Sequence, residues 1–123
     1  MTDRPRILVV DDDLGIRETM FDILTLENYS VDVAASGEEA VERCRKERYD
    51  VALLDIRMPG MNGVETLRVL REIDPNLRVI MITGHEVGDL ASEAMEAGAE
   101  AVFRKPLDVA MFLPMLLAAT DQL

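Results

Sequence analysis

Five short apolar runs punctuate the chain: Ile7–Val10, Val31–Ala34, Val51–Leu54, Val79–Ile82 and Ala101–Phe103. Each is too short for a helix, and four are nearly continuous, as in parallel strands covered on both faces. The second holds Asp32 within it and reads as an edge strand, where a charge can reach water. The segments between keep a different period. Ile16, Met20, Ile23 and Leu24 recur at helical spacing, as do Val87, Leu90, Ala91, Ala94 and Met95. Polar residues mark the helix ends. Asp13 is placed to cap the first helix and Asp108 the last; Ser36-Gly37-Glu38-Glu39 is a capping-box pattern opening the second. Asn62 with Glu65 opens the third, and Gly98 stops the fourth.

Strand and helix alternating five times predict an α/β fold with right-handed crossovers and helices on both faces of a parallel sheet. With the Asp32 strand at an edge, the order is 2-1-3-4-5: a (βα)5, doubly wound, five-stranded sheet in a three-layer sandwich. Its switch point lies between strands one and three, and open sheets of this kind bind ligands there, beyond the carboxyl ends of the strands. Residues after Val10 and after Leu54 should therefore face each other, and both are aspartates.

Length and composition narrow the function classes. The 123 residues suit one domain spanning 1–123, as a complete regulator or the N-terminal part of a longer one. The net charge of −11, without a basic run, argues against direct nucleic-acid binding and favours cations and basic partner surfaces. Val109–Ala119 is the longest uncharged apolar stretch, short of the ~20 residues that span a bilayer. With no signal-peptide pattern and a single cysteine, Cys44, the expectation is a cytoplasmic protein without disulfides or membrane contact. Cys44 falls on the packing face of the second helix.

The chemistry gathers at the strand ends. In "ILVVDDDLG" the first strand runs straight into Asp11, Asp12 and Asp13. Massed carboxylates at the edge of a core repel one another and raise one another's pKa unless a cation joins them. Asp13, one step further on, suits the helix cap; Asp11 and Asp12 remain to converge with Asp55, the residue after the third strand. Oxygen ligands of this kind suit a hard divalent ion, and few protein ligands plus waters suit octahedral Mg²⁺. Strand four is followed by Thr83 and strand five by Lys105. Acids with Mg²⁺, a hydroxyl and an ammonium form a set suited to a phosphoryl group, and a carboxylate held in line with it can attack it.

In this order and spacing, "VVDDD", "LLDIRMPGMNG", "MITGH" and "FRKPL" resemble the CheY-like receiver domain of two-component response regulators, over essentially the whole chain. The resemblance implies a flavodoxin-like fold and a signalling domain that catalyses only its own phosphorylation and dephosphorylation. Asp55 would become an acyl phosphate. Asp12 would ligate Mg²⁺ (with Mn²⁺ as a substitute) directly, Asp11 mainly through water, Asp55 by a carboxylate oxygen and Arg57 by its backbone carbonyl. Thr83 and Lys105 would hold the phosphoryl oxygens, and Pro106 would follow a cis peptide bond. Implied partners are a sensor histidine kinase or phosphotransfer protein, and a downstream effector or output domain. The resemblance also implies that Arg57 and His85 would border the phosphoryl position, and they are expected to set the lifetime of the acyl phosphate.

Two features depart from the family pattern. Three residues before Lys105 the family carries Tyr or Phe, and here stands Val102, with Phe103 pointing to the opposite face. Asn62 stands where the loop commonly has Asp. The last helix is unusual in itself: Val109–Ala119 has no polar side chain, and Pro114 inside it should kink it or shift its start. Such a helix is either covered or offers an apolar patch, and the resemblance points to a homodimer through the fourth helix, fifth strand and fifth helix. Other readings are a phosphorylation-independent pseudo-receiver and a small haloacid-dehalogenase-like phosphatase using the "DDD" run. The first normally lacks acids that are all present here; the second needs more chain than 123 residues. A Rossmann dehydrogenase is excluded by the missing Gly-rich turn.

Overall fold

The computed structural model describes residues 4–84, 88–105 and 108–120. The elements follow in the order β1 (Arg6–Val10), α1 (Leu14–Leu26), β2 (Ser30–Ala34), α2 (Gly37–Lys46), β3 (Val51–Asp55), α3 (Gly63–Ile73), β4 (Arg78–Thr83), α4 (Gly88–Glu96), β5 (Ala101–Arg104) and α5 (Val109–Thr120). All strand pairs are parallel and the sheet order is β2-β1-β3-β4-β5. Every apolar run is a strand, extended by at most one residue at either end. Asp55 and Thr83, expected just beyond their strands, are instead their last residues.

Alternation along the strands divides the core into two layers. Leu8, Val10, Ala52, Leu54, Val79 and Met81 pack on one side against Val64, Leu67 and Leu70 of α3. Ile7, Val9, Val51, Leu53, Ile80 and Ile82 pack on the other against Met20 and Leu24 of α1 and Phe112 and Leu116 of α5. Adjacent side chains of a strand point to opposite faces, so each strand serves both layers. Val102 accordingly joins the α3 side, while Phe103 joins the α5 side, edge-on to Phe112 at 5.6 Å between ring centres. Edge strand β2 keeps Asp32 half-buried, because the Tyr49 hydroxyl donates to it at 2.6 Å and Arg6 lies 3.6 Å away.

The helix ends follow their capping residues. Asp13 accepts from the amides of Gly15 and Ile16, and Asp108 from that of Ala110. Asn62 and Glu65 form a reciprocal capping box. The second helix differs in detail: Ser36 accepts from the Glu39 amide, but the Glu39 carboxylate reaches one residue further back, to the Ala35 amide. Gly98, at φ +102°, ends α4 with its amide on the Met95 carbonyl and that of Ala99 on the Ala94 carbonyl. Only a residue free to enter the left-handed region closes a helix this way.

Two further expectations shift. Met95, grouped by periodicity with the core face of α4, is half exposed. Pro114 neither breaks α5 nor moves its start, which stays beside the Asp108 cap. The carbonyl four residues earlier, which proline cannot satisfy, belongs to exposed Ala110, where water can replace the missing donor. Among the described residues no helix is long and apolar enough to cross a membrane. Val87, His85 and Pro106, with the expectations attached to them, lie outside the described residues.

Candidate phosphoryl and metal site

The register of the two central strands brings the acids together. Val10 pairs with Leu54, so β1 and β3 reach the carboxyl edge at the same level. Beyond that pair the Asp11 amide donates to Ala34 (3.1 Å) and that of Ile56 to Ile82 (3.1 Å), so ladder hydrogen bonds hold the backbone on both sides of the crevice. Asp11 and Asp55 are only 3% and 5% exposed, while Asp12 is exposed. One carboxylate oxygen from each of the three lies within 4.8 Å of the others.

Lys105 reaches this cluster from the end of β5. Its Nζ is 3.0 Å from Asp11 Oδ2 and 3.1 Å from Asp55 Oδ2, and its amide donates to the Thr83 carbonyl at 2.6 Å. Burial, then the neighbouring Asp11, push the Asp55 carboxyl above its ordinary range, against the opposing pull of Lys105. For Lys105 burial works against the charge, but Asp11 and Asp55 together outweigh it and hold the ammonium above its usual pKa. One ammonium thus shares two buried carboxylates, leaving excess negative charge where three acids meet. Every donor in the cluster is an oxygen, which fits a hard divalent ion and not a soft one.

Other candidate residues stand around this centre. The Arg57 amide donates to Asp55 Oδ1 at 3.3 Å, so the residue expected to offer its carbonyl also orients the Asp55 carboxylate. Thr83 is buried at the end of β4, and its hydroxyl donates to the Gly84 carbonyl at 3.2 Å. The strand order therefore gathers Asp11, Asp12, Asp55 and Lys105 directly, with Thr83 at the neighbouring strand end.

Three supporting residues were not picked out from sequence. The Gly63 amide donates to the Ile56 carbonyl at 2.7 Å, and a side chain there would strike the Asp55 carbonyl and sit 2.7 Å from Ile56 Cα. Glycine lets the start of α3 close on the backbone that carries Asp55. The Glu38 carboxylate of α2 accepts from the Met61 amide at 3.4 Å, beside Gly60. Arg17 of α1 donates to the Asp11 carbonyl at 2.8 Å. The "NG" at 62–63, beginning a capped helix eight residues after Asp55, was a signal for Gly63; Glu38 and Arg17 carried none, since their partners lie across loops. Next to the acids, Ile16, Met20, Ile23, Ile82 and Val109 line a groove of about 460 Å³. Asp13, Thr19 and Lys105 also line it, while Asp11, Asp12 and Asp55 lie outside it.

Known proteins share this arrangement of elements. The family model of the response regulator receiver domain matches residues 7–116. The chain is 41% identical over 104 residues to sporulation initiation phosphotransferase F of Bacillus subtilis (strain 168), covering 85% of this chain and 84% of that protein. A crystal structure of a CheY-like response regulator receiver domain protein from Methanospirillum hungatei JF-1 superposes with a TM-score of 0.93 at 32% identity, covering 98% of this chain and 96% of that one. A CheX-CheY-BeF3-Mg+2 complex from Borrelia burgdorferi superposes with a TM-score of 0.87 at 34% identity, covering 94% and 89%. Against several other curated relatives the chain spans only 23% to 49% of their length.

Proposed function

Because the chain belongs to the response regulator receiver-domain family, we propose that it is a phosphorylation switch whose acceptor is Asp55. The observation that carries this reading is the meeting of Asp11, Asp12 and Asp55 within 4.8 Å, with Lys105 3.1 Å from the acceptor. In the step proposed, a carboxylate oxygen of Asp55 attacks the phosphorus of a phosphohistidine on a sensor kinase or phosphotransfer protein. The P–N bond breaks, its electron pair stays on the imidazole, and an acyl phosphate forms on Asp55. Lys105 is close enough to ion-pair with the transferred oxygens, and Thr83 can exchange its bond to Gly84 for one to the phosphoryl group. Asp11, Asp12, a carboxylate oxygen of Asp55 and the Arg57 carbonyl are the ligands proposed for Mg²⁺ or Mn²⁺. Such an ion, when bound, supplies positive charge that neutralises the phosphoryl oxygens. The Borrelia CheY is named in complex with BeF3 and Mg²⁺, which supports a similar site here. Loss of the phosphoryl group is the attack of water on phosphorus with Asp55 leaving as carboxylate; Arg57 and His85 are proposed to tune its rate.

Residues 1–123 are read as one receiver domain acting in the cytoplasm, alone or at the head of a longer regulator. Its output is contact with an effector or an attached domain, with no direct nucleic-acid or membrane contact by this domain. A second copy is proposed to dock on α4, β5 and α5. There the exposed stripe of α5 holds Met111, 67% exposed, Pro114 and Leu117, 48% exposed, and α4 adds Met95.

Intact mass after incubation with Mg²⁺ and acetyl phosphate or phosphoramidate tests the acceptor chemistry. A gain of one phosphoryl group is expected, lost without Mg²⁺ and lost in Asp55→Asn. A gain retained in Asp55→Asn overturns the choice of acceptor. No gain, even with a phosphorylated histidine kinase as donor, leaves an interaction module.

A further inference from the structure

Arg17 is neither a proposed ligand nor a proposed phosphoryl contact, yet it makes a specific bond to the acidic loop. Its Nη1 donates to the Asp11 carbonyl at 2.8 Å, and its own amide closes the first turn of α1 on the Asp13 carbonyl at 3.1 Å. The Asp11 carbonyl is one half of the peptide group whose other half is the Asp12 amide. That group is planar, so fixing its oxygen fixes the plane from which the Asp12 side chain projects.

The rest of the loop is held independently. The Asp11 amide is on the β2 ladder through Ala34; its carboxylate takes Lys105 and, at 2.9 Å, the Asp13 amide. The Asp13 carboxylate is engaged by the Gly15 and Ile16 amides. Asp12 is different: it is exposed, and none of the described residues hydrogen-bonds to or ion-pairs with its carboxylate. Of the three acids of the cluster it is therefore oriented only through its backbone, and Arg17 holds the carbonyl just before it. The half-buried guanidinium is a planar, permanently charged donor well suited to keeping one carbonyl in place.

From this geometry we infer that Arg17 is a positioning residue for the divalent-ion site: by holding the Asp11–Asp12 peptide plane, it aims the Asp12 carboxylate at the ion. The inference rests on the metal reading of Asp11, Asp12 and Asp55 given above. Its consequence has a sign that charge alone cannot mimic. Deleting a cation beside an acidic cluster strengthens its attraction for a divalent ion, whereas losing the orientation of a ligand weakens binding. Outer groups that orient metal ligands typically account for 10- to 100-fold in affinity.

Mn²⁺ titration of the full chain, followed by loss of the free-ion electron paramagnetic resonance signal, tests this with native protein, Arg17→Met, Arg17→Lys, Asp12→Asn and the Arg17→Met/Asp12→Asn double variant. Arg17→Met is expected to bind about 10-fold more weakly than native. Arg17→Lys, which keeps a donor and the charge, is expected to recover most of that loss. In the Asp12→Asn background the Arg17→Met change is expected to have less than about 3-fold effect, because the ligand it aims is gone. Thermal melts of the metal-free proteins accompany the titration, and a general loosening of the fold would weaken binding equally in both backgrounds. Equal loss in both backgrounds, or Arg17→Met binding as tightly as native or more tightly, overturns the inference alone. A native protein that binds no Mn²⁺ overturns the metal reading and this inference with it.

Discussion

At the scale of single residues, Asp55, the proposed acceptor, is held in a state the fold does not favour. Asp55 is buried beside Asp11, and one shared ammonium does not cancel two carboxylates. Its pKa is therefore raised above the ordinary 3.8. The folded chain holds this proton more tightly than the unfolded chain does. The stability this group contributes is accordingly full below that ordinary value and is lost as pH rises through the raised one. Asp55→Asn removes the charge while Lys105 keeps Asp11 as its partner. Metal-free Asp55→Asn should be more stable than native by about 1 kcal/mol at pH 7, the scale of a substitution that trades function for stability. The difference should shrink as pH falls through the raised value, below which both proteins carry a neutral group. Urea unfolding in the presence of a chelator across that range checks it, and a native protein more stable than the variant at pH 7 contradicts it.

At the scale of elements, α5 combines features that rarely share a helix. Its buried Phe112 and Leu116 complete the layer over Ile7, Val51 and Ile80; Ala119 and Thr120 are buried too, and Thr120 is hydrogen-bonded to the Tyr29 hydroxyl at 3.2 Å. Its outward stripe is no more polar than its inward one. Pro114 lies in that stripe and removes a backbone hydrogen bond from exposed Ala110. In the interior of a helix proline costs ~3 kcal/mol relative to alanine, but an exposed carbonyl that can bind water recovers part of this. Pro114→Ala should therefore stabilise the metal-free monomer by about 1–2 kcal/mol, read as a higher urea midpoint at unchanged slope. A lower midpoint would mean that the ring itself packs against the fold.

At the scale of the whole molecule, charge and assembly are the properties to test. A chain of net charge −11 with Asp11, Asp12 and Asp55 converging on one crevice should be stabilised by whatever divalent ion it holds. At a Mg²⁺ concentration 100 times its Kd the gain should be about 2.7 kcal/mol. Asp12→Ala should lose most of that increment at the same concentration while melting like native protein in chelator. The apolar stripe makes a separate prediction. Sedimentation of the phosphorylated protein should show a dimer that Leu117→Glu disrupts without reducing phosphoryl uptake. A native chain that stays monomeric at high concentration, with and without phosphorylation, removes self-association from the proposal.

What was legible in advance followed from local physics. The apolar runs became strands, and the interrupted one, with Asp32, lies at an edge; the continuous run of β5 is the other edge, and its residues are only partly buried. Asp13, Asn62, Gly98 and Asp108 end helices because side-chain oxygens and left-handed backbone act on groups two to five residues away. Asp11 and Asp55 could be placed together because strand order alone sets which strand ends meet, so the two were neighbours as soon as the order was fixed. The tertiary structure decided contacts whose partners are set by distance in space. Periodicity grouped Met95 with Ala94, yet the neighbouring elements leave it half exposed. Lys105 is shared between Asp11 and Asp55, Gly63 lies against the Asp55 backbone, and Arg17 reaches back to the Asp11 carbonyl. Each of these depends on how a long side chain or a close backbone approach fills the space left by packing, and residue type and periodicity do not specify that space.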